Sequence, residues 1–307
     1  MITISAPGKL MLMGEHAVVY GYPCIVTAVS ERLAVSMEET QDNKITIDAP
    51  QVKDTRFVDQ AILDGCHAFG ITHHGLHIKT HCNFSNCYGF GSSSAVTVAT
   101  FEALASTFHK NIDKKTLFEQ AYKTVLTIQG VGSGFDVAAA TYGGTLLYTK
   151  GGNILEPLSW DLNNGVSLVV GYSGVKANTP EIVRDVAIKK KAQPEAVNRI
   201  FEAIGKLVGQ AKEAGDKKDW ETVGKLMNFN QEYLRDLGVS TEKLESMIYA
   251  AKEAGAYGVK LSGAGGGDCM IALTLTEKKK EIEQAIISSG GSVVPVSIHE
   301  EGVRIDQ

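Results

Sequence analysis

The sequence predicts an α+β protein in two lobes, and three observations carry that expectation. Short β-favouring runs, separated by turn residues, fill the first third. The second half turns to long amphipathic helices with two strands near its end. Between them the pattern changes over residues 150–165 with no repeat or low-complexity linker, so the division is placed at 1–160 and 161–307.

In chain order, strands are expected over residues 2–6, 9–13, 25–37, 44–48 and 76–81. A helix follows over 93–108, rich in Ala and Val and free of Gly and Pro, and a second over 115–128. Residues 145–149 and 166–171 return to strand. Lys189, Lys190 and Lys191 read as a solvated loop ahead of a helix opened by Pro194, whose Val197, Ile200, Phe201, Ile204 and Leu207 share one face. Leu244, Met247, Ile248 and Ala251 give another helix, with Ser240 or Thr241 as its N-cap. Strands over 270–275 and 292–298 flank a last helix over 278–288.

Net charge is −5, from 30 basic and 35 acidic residues spread along the chain, which argues against a nucleic-acid footprint. The five cysteines are odd in number and scattered, with no CxxC pair, so neither a disulfide framework nor structural zinc is expected. The first residues lack a signal-peptide pattern, and no apolar run approaches the roughly 18 residues of a membrane span. A cytoplasmic protein is the expectation. Glycine is the unusual component: 32 of 307 residues, above the usual share of about 7%.

The glycines gather in four motifs. Ala6-Pro7-Gly8-Lys9, continuing through Gly14-Glu15-His16 to Gly21, could present a cation, an acid and an imidazole to one pocket; a hairpin turn with surface charges fits the residues equally well. Gly89-Phe90-Gly91-Ser92-Ser93-Ser94 leads directly into the helix at 93. Glycines there allow close backbone approach, and a helix start offers unpaired N–H groups and a favourable dipole, so phosphate binding is preferred over a merely serine-capped helix. It is not a Walker A loop. Gly130-Val131-Gly132-Ser133-Gly134-Phe135-Asp136 suggests a carboxylate held at the floor of a site, or else a turn aspartate capping the next segment. Ser262-Gly263-Ala264-Gly265-Gly266-Gly267-Asp268 permits close approach to a ligand, and a mobile loop explains it as well. Histidines 67, 73, 74, 77 and 81 form no metal-ligand pattern, because an i,i+4 pair on a strand does not converge.

Taken in order, these motifs resemble the GHMP kinase superfamily over nearly the whole chain. The resemblance implies an N-terminal ATP-binding lobe of the ribosomal-protein-S5-domain-2 type and a C-terminal ferredoxin-like lobe, with the active site between them. It further implies ATP and Mg2+ as cofactors. Asp136 would take the acceptor's proton and Lys9 would stabilise the charge in transit. Gly89, Gly91, Ser92, Ser93 and Ser94 would hold the nucleotide, and Ser93 and Asp136 the metal. Glu15, His16, Lys176, Thr179, Gly263, Ala264 and Gly265 would meet the substrate. Both ends of the chain look most like members that phosphorylate mevalonate. The Asp136 motif looks more like those acting on phosphomevalonate, for which Lys176, Arg184 and Lys9 would face the extra phosphate. A silent metabolite-binding protein on the same fold is the reading from another class. A homodimer is a further implication. Two departures stand out: residues 84–88 lack the Pro and Gly usual before Gly89, and Val125 occupies the place of a metal-ligating glutamate in some members.

Overall fold

The computed structural model describes residues 1–306 except 52–53, 73–74, 84–87, 161 and 163. The N-terminal part contains strands β1 (Ile2–Met13), β2 (Cys24–Thr40) and β3 (Ile45–Asp48), helix α1 (Arg56–Phe69) and strand β4 (Gly75–Cys82). Helices α2 (Ser92–Thr107), α3 (Lys114–Gln129) and α4 (Phe135–Tyr142) follow, then strands β5 (Thr145–Tyr148) and β6 (Leu155–Leu158). The C-terminal part begins with β7 (Val166–Tyr172). It continues through α5 (Thr179–Ala192), α6 (Pro194–Asp216), α7 (Trp220–Leu237) and α8 (Glu242–Glu253), and then β8 (Gly258–Ser262), β9 (Cys269–Leu275), α9 (Lys279–Ser288), β10 (Ser292–Val294) and β11 (Arg304–Asp306).

Two sheets organise these elements. The first runs β11-β1-β2-β4-β3, with β5 on the other end of β2 and β6 beside β5; the second runs β10-β7-β9-β8. β1 is one strand where two were expected. Pro7 is accommodated because the register with β2 shifts between Pro7 and Lys9, so no ladder bond is needed from the missing N–H. α2 is buried on nearly every side from Ser94 to Ala105, which is why it is made of Ala, Val and Thr rather than a one-sided stripe. Thr97 and Thr100 satisfy their hydroxyls on the carbonyls of Ser93 and Val96. This apolar shaft projects its first turn out of the core as a fixed point.

Two local expectations change and one open choice is decided. Lys189–Lys191 lie in the last turn of α5, where cations suit the carbonyl end of the helix, and Lys189 Nζ donates to the carbonyl of Asp236. Thr241 is the N-cap of α8, its hydroxyl accepting from Leu244 N–H, while Ser240 turns to Glu245. The strand expected over 292–298 stops at Val294, and Ile298 bridges to Val29 of the first sheet. From there the chain returns to the N-terminal part, where β11 pairs antiparallel with β1, Thr3 opposite Asp306.

Arg32 fastens this returning segment. Its Nε donates to Ser5 Oγ at 2.8 Å, Nη1 to the Glu301 carbonyl at 2.7 Å, and Nη2 to the carbonyls of Ser5 at 2.9 Å and Gly302 at 2.7 Å. Burial holds its pKa down to about 10, so it remains charged at neutral pH. Arg32→Ala is expected to lower unfolding free energy by about 2 kcal/mol, because charge-assisted bonds to two segments disappear together. Urea denaturation measures this; a midpoint equal to wild type would refute the fastening role.

Candidate active site

Lys9 sits on β1 with only 7% of its surface exposed. Its backbone N–H donates to the Phe90 carbonyl at 2.9 Å and its Nζ to the Gly89 carbonyl at 2.7 Å, while the Phe135 ring centroid lies 5.3 Å from Nζ. Gly91 caps α2 at φ +78°, and a Cβ there would stand 3.2 Å from Lys9 Cε and 3.4 Å from Asp136 Cβ. Only glycine lets the lysine and the aspartate close around the helix start. On the other side, Gly134 turns the chain at φ +88°, packed so tightly under Tyr122 and Tyr148 that a Cβ would meet both at 2.8 Å. α4 starts immediately after it. Asp136 therefore falls in that helix's first turn, where the dipole favours a carboxylate, and its Oδ2 accepts from Ser94 Oγ at 2.6 Å.

The three serines do not act alike. Successive helical residues point about 100° apart, so Ser94 turns inward to Asp136 while Ser92 and Ser93 remain half-buried at the first turn. Burial pushes the Lys9 ammonium below its ordinary pKa, and the nearby carboxylates of Asp136 and Asp268 oppose that shift. A cation, a carboxylate and a helix N-terminus thus converge.

Glu15 and His16 are buried against the second lobe. Glu15 is 1% exposed and ion-paired to Lys260, itself fully buried on β8; Lys260 also donates to the Leu261 carbonyl at 2.6 Å. Burial raises the Glu15 pKa and lowers that of Lys260, each countered by the partner's charge. His16, at φ +60°, places Nε2 2.8 Å from the Ala264 carbonyl, and burial lowers its pKa. Asn230 of α7 accepts from Gly14 N–H at 3.2 Å, and Ser262 Oγ bonds both backbone groups of Met11. The segment for which a substrate role is expected is also where β1 is riveted to the glycine loop of the second lobe.

That loop runs from Gly263 to Gly267. Gly263 (φ +104°) faces open space, and Gly267 lies where a Cβ would come within 2.5 Å of the Val175 carbonyl. Lys176 and Thr179 are exposed beside it. Asp268 closes the loop, 7% exposed, with Oδ1 accepting from Ala177 N–H at 2.9 Å. Lys260, Asn230, Ser262 and Asp268 carried no assigned role in the sequence. The available signals were a charge inside the apolar strand Val259-Lys260-Leu261 and a lone acid ending a glycine run.

The donors fit a nucleotide-borne magnesium ion. Asp136 and the half-buried Ser93 offer hard oxygens beside a helix N-terminus, and magnesium carried by phosphates needs only one or two protein carboxylates. Val125 is in the apolar core, so that face of α3 offers no ligand. Among the described residues, no group of three or more His, Cys, Asp or Glu could hold a metal by itself. His77 Nδ1 lies 2.9 Å from Thr46 Oγ1. His73, His74 and residues 84–87 with Cys87 lie outside the described residues.

Such a layout suits an enzyme that carries a phosphoryl group from a nucleotide to an alcohol, and the two lobes are those of a small-molecule kinase. Family models described as "GHMP kinases N terminal domain" and "GHMP kinases C terminal" match residues 56–144 and 211–292. A curated mevalonate kinase of Pyrococcus furiosus is 34% identical over 335 aligned positions, spanning 100% of this chain and 98% of its own. The chain belongs to the GHMP kinase family and is an ATP-using phosphotransferase with an alcohol acceptor. Among solved structures, L. major mevalonate kinase in complex with R-mevalonate superposes at TM-score 0.81 and 26% identity, covering 97% of this chain and 95% of that one. Streptococcus pneumoniae phosphomevalonate kinase in complex with phosphomevalonate and AMPPNP superposes at 0.83, over 97% of this chain and 100% of that one. Its 18% identity speaks for the fold alone.

Proposed function

We propose that the protein transfers the γ-phosphoryl group of ATP to the hydroxyl of mevalonate, in isoprenoid precursor synthesis. The observation that carries the chemistry is the convergence of Lys9, Asp136 and the N-terminus of α2. Full-length relatives named mevalonate kinase support the acceptor. The N–H groups of the first turn of α2, with Ser92 and Ser93, bind the phosphates. Asp136, steadied by Ser94, accepts the proton of the attacking hydroxyl. The new O–P bond forms as the bond to the β-phosphate oxygen breaks, and ADP departs with the electron pair. Lys9 faces the negative charge gathering between donor and acceptor. Mg2+, held by Ser93 and Asp136, would neutralise phosphate charge when bound. Gly263–Gly265 and the exposed Lys176 and Thr179 border the acceptor side. A cytoplasmic setting accompanies this reading.

The likeness of the Asp136 motif to phosphomevalonate-acting enzymes does not extend along the chain: relatives at 33–34% identity carry the other name. A coupled assay of ADP release with mevalonate and with phosphomevalonate as separate acceptors tests the assignment. Turnover is expected with mevalonate. Turnover confined to phosphomevalonate would overturn the acceptor, and ATP binding without turnover of any alcohol would make the protein a silent binder.

A further inference from the structure

The phosphate loop of the first lobe is gripped from the second. Asp268 presses its carboxylate against Gly89 so closely that a Cβ on Gly89 would collide with it. The next residue, Cys269, places Sγ 3.3 Å from the Tyr88 carbonyl as donor. Tyr172, opposite Cys269 in the β7–β9 register, sets its ring 5.1 Å from that of Tyr88. Three separate contacts thus meet residues 88–89 from one side.

Asp268 is itself held at every polar group on its backbone and at one side-chain oxygen. Its N–H donates to the Val175 carbonyl at 2.7 Å, its carbonyl accepts from Ser173 N–H at 2.9 Å, and Oδ1 takes the N–H of Ala177. The residue sits at φ +54°, a left-handed conformation unusual for a side-chain-bearing residue, and such conformations persist where surroundings over-determine them. Gly89 in turn gives its carbonyl to Lys9 Nζ at 2.7 Å. A continuous path therefore runs from the 173–177 turn through Asp268 and Gly89 to the lysine ammonium. Its mid-point requires a glycine: any side chain at 89 would displace either the carboxylate or the carbonyl.

We propose that Asp268 is a positioning residue for Lys9, acting through Gly89 to fix where the ammonium stands relative to Asp136. The proposal rests on the phosphotransfer reading of Lys9. It means that a residue of the second lobe, outside the nucleotide-binding loop, aligns a catalytic group of the first.

The test compares Asp268→Ala, Asp268→Asn, Gly89→Ala and the Gly89→Ala/Asp268→Ala double variant, with kcat measured on mevalonate and ATP affinity by calorimetry. Displacing a reacting group by about 1 Å can cost roughly a hundred-fold. Asp268→Ala is accordingly expected to lose kcat by about ten- to a hundred-fold with the ATP Kd within about three-fold of wild type. Asn keeps the acceptor for Ala177 N–H and the bulk against Gly89, so Asp268→Asn is expected to restore most of kcat. Positions 89 and 268 share one contact, so the double variant should lose no more than the worse single variant. Loss of ATP affinity at unchanged kcat, Asn as damaging as Ala, or additive losses in the double variant would each overturn the proposal. Absence of wild-type turnover on mevalonate would instead strike the acceptor assignment, and the coupling of 89 with 268 would then be read from the four melting temperatures by the same non-additivity.

Discussion

Asp136→Ala is expected to reduce turnover by about a thousand-fold or more while leaving the ATP Kd within about three-fold of wild type. The expectation follows from where the residue sits. Asp136 belongs to α4, whereas the nucleotide's phosphates are assigned to the first turn of α2, so truncating the carboxylate leaves those N–H groups in place. What disappears is the proposed proton acceptor, one of the two proposed magnesium ligands and the anion that offsets burial of Lys9, while the N–H groups of α2 and Ser93 remain for the nucleotide and its ion. Asp136→Asn separates these contributions from shape, since an amide oxygen can still take the Ser94 hydroxyl bond but cannot take a proton. Both variants should fail alike in kcat. Steady-state assay with mevalonate and calorimetry with ATP decide the matter, and an Asn variant retaining a tenth or so of wild-type kcat would remove Asp136 from the proton-accepting role.

Breaking the buried pair between Glu15 and Lys260 should give the largest change in stability. Removing one partner of a buried ion pair leaves an uncompensated charge, typically costing about 3–5 kcal/mol. The pH dependence tells the two partners apart. In Lys260→Met, Glu15 must fold protonated; a folded pKa raised above the ordinary carboxylate value gives stability that is present in acid and lost as pH rises through it. In Glu15→Gln, Lys260 must fold neutral; a folded pKa below the ordinary lysine value gives stability that is present in alkali and lost as pH falls through it. Melting temperatures between about pH 5.5 and pH 8.5 should therefore fall with pH for Lys260→Met and rise with pH for Glu15→Gln, relative to wild type. Parallel profiles for the two variants would show that the pair is not buried as described. Lys260→Met combined with Glu15→Leu removes both charges and should recover much of the loss, as apolar replacements of buried pairs often do.

α6 and α8 were legible from apolar residues recurring on one face, and α2 from a run rich in Ala and Val and free of Gly and Pro. α1 lies outside the sequence expectations although Val58, Ala61, Ile62 and Gly65 share its buried face; the glycine there has a tertiary reason, since a Cβ would meet Leu104 and Phe101 of α2. β8 was hidden because Lys260 interrupts an apolar run, a choice explained only by Glu15 far away in the chain. The site shows the same division. Lys9, Gly91 and Asp136 could be picked out because glycine clusters mark where backbone must come close, and the fold brings them together around one helix start. The different duties of Ser92, Ser93 and Ser94 depend on helical phase against a neighbouring helix. The burial of Glu15 and His16 depends on which lobe packs over them. Neither is a local property of sequence.

The return of the chain to pair β11 with β1 bears on how the protein is made. Thr3 is synthesised early, and its partner Asp306 is added only after just over three hundred further steps. Until then the strand that bears Lys9 has one unpaired margin, open to other nascent or unfolded chains. Completion of the first lobe is thereby deferred until β11 has been made, although most of the residues in its core precede the second lobe in the chain. Contacts so remote in sequence also form slowly, since closing the intervening loop costs entropy before any bond is gained. Ribosome-bound chains stopped short of residue 304 should resist proteases less well in β1 than chains that have passed it, even though the second lobe has already been synthesised.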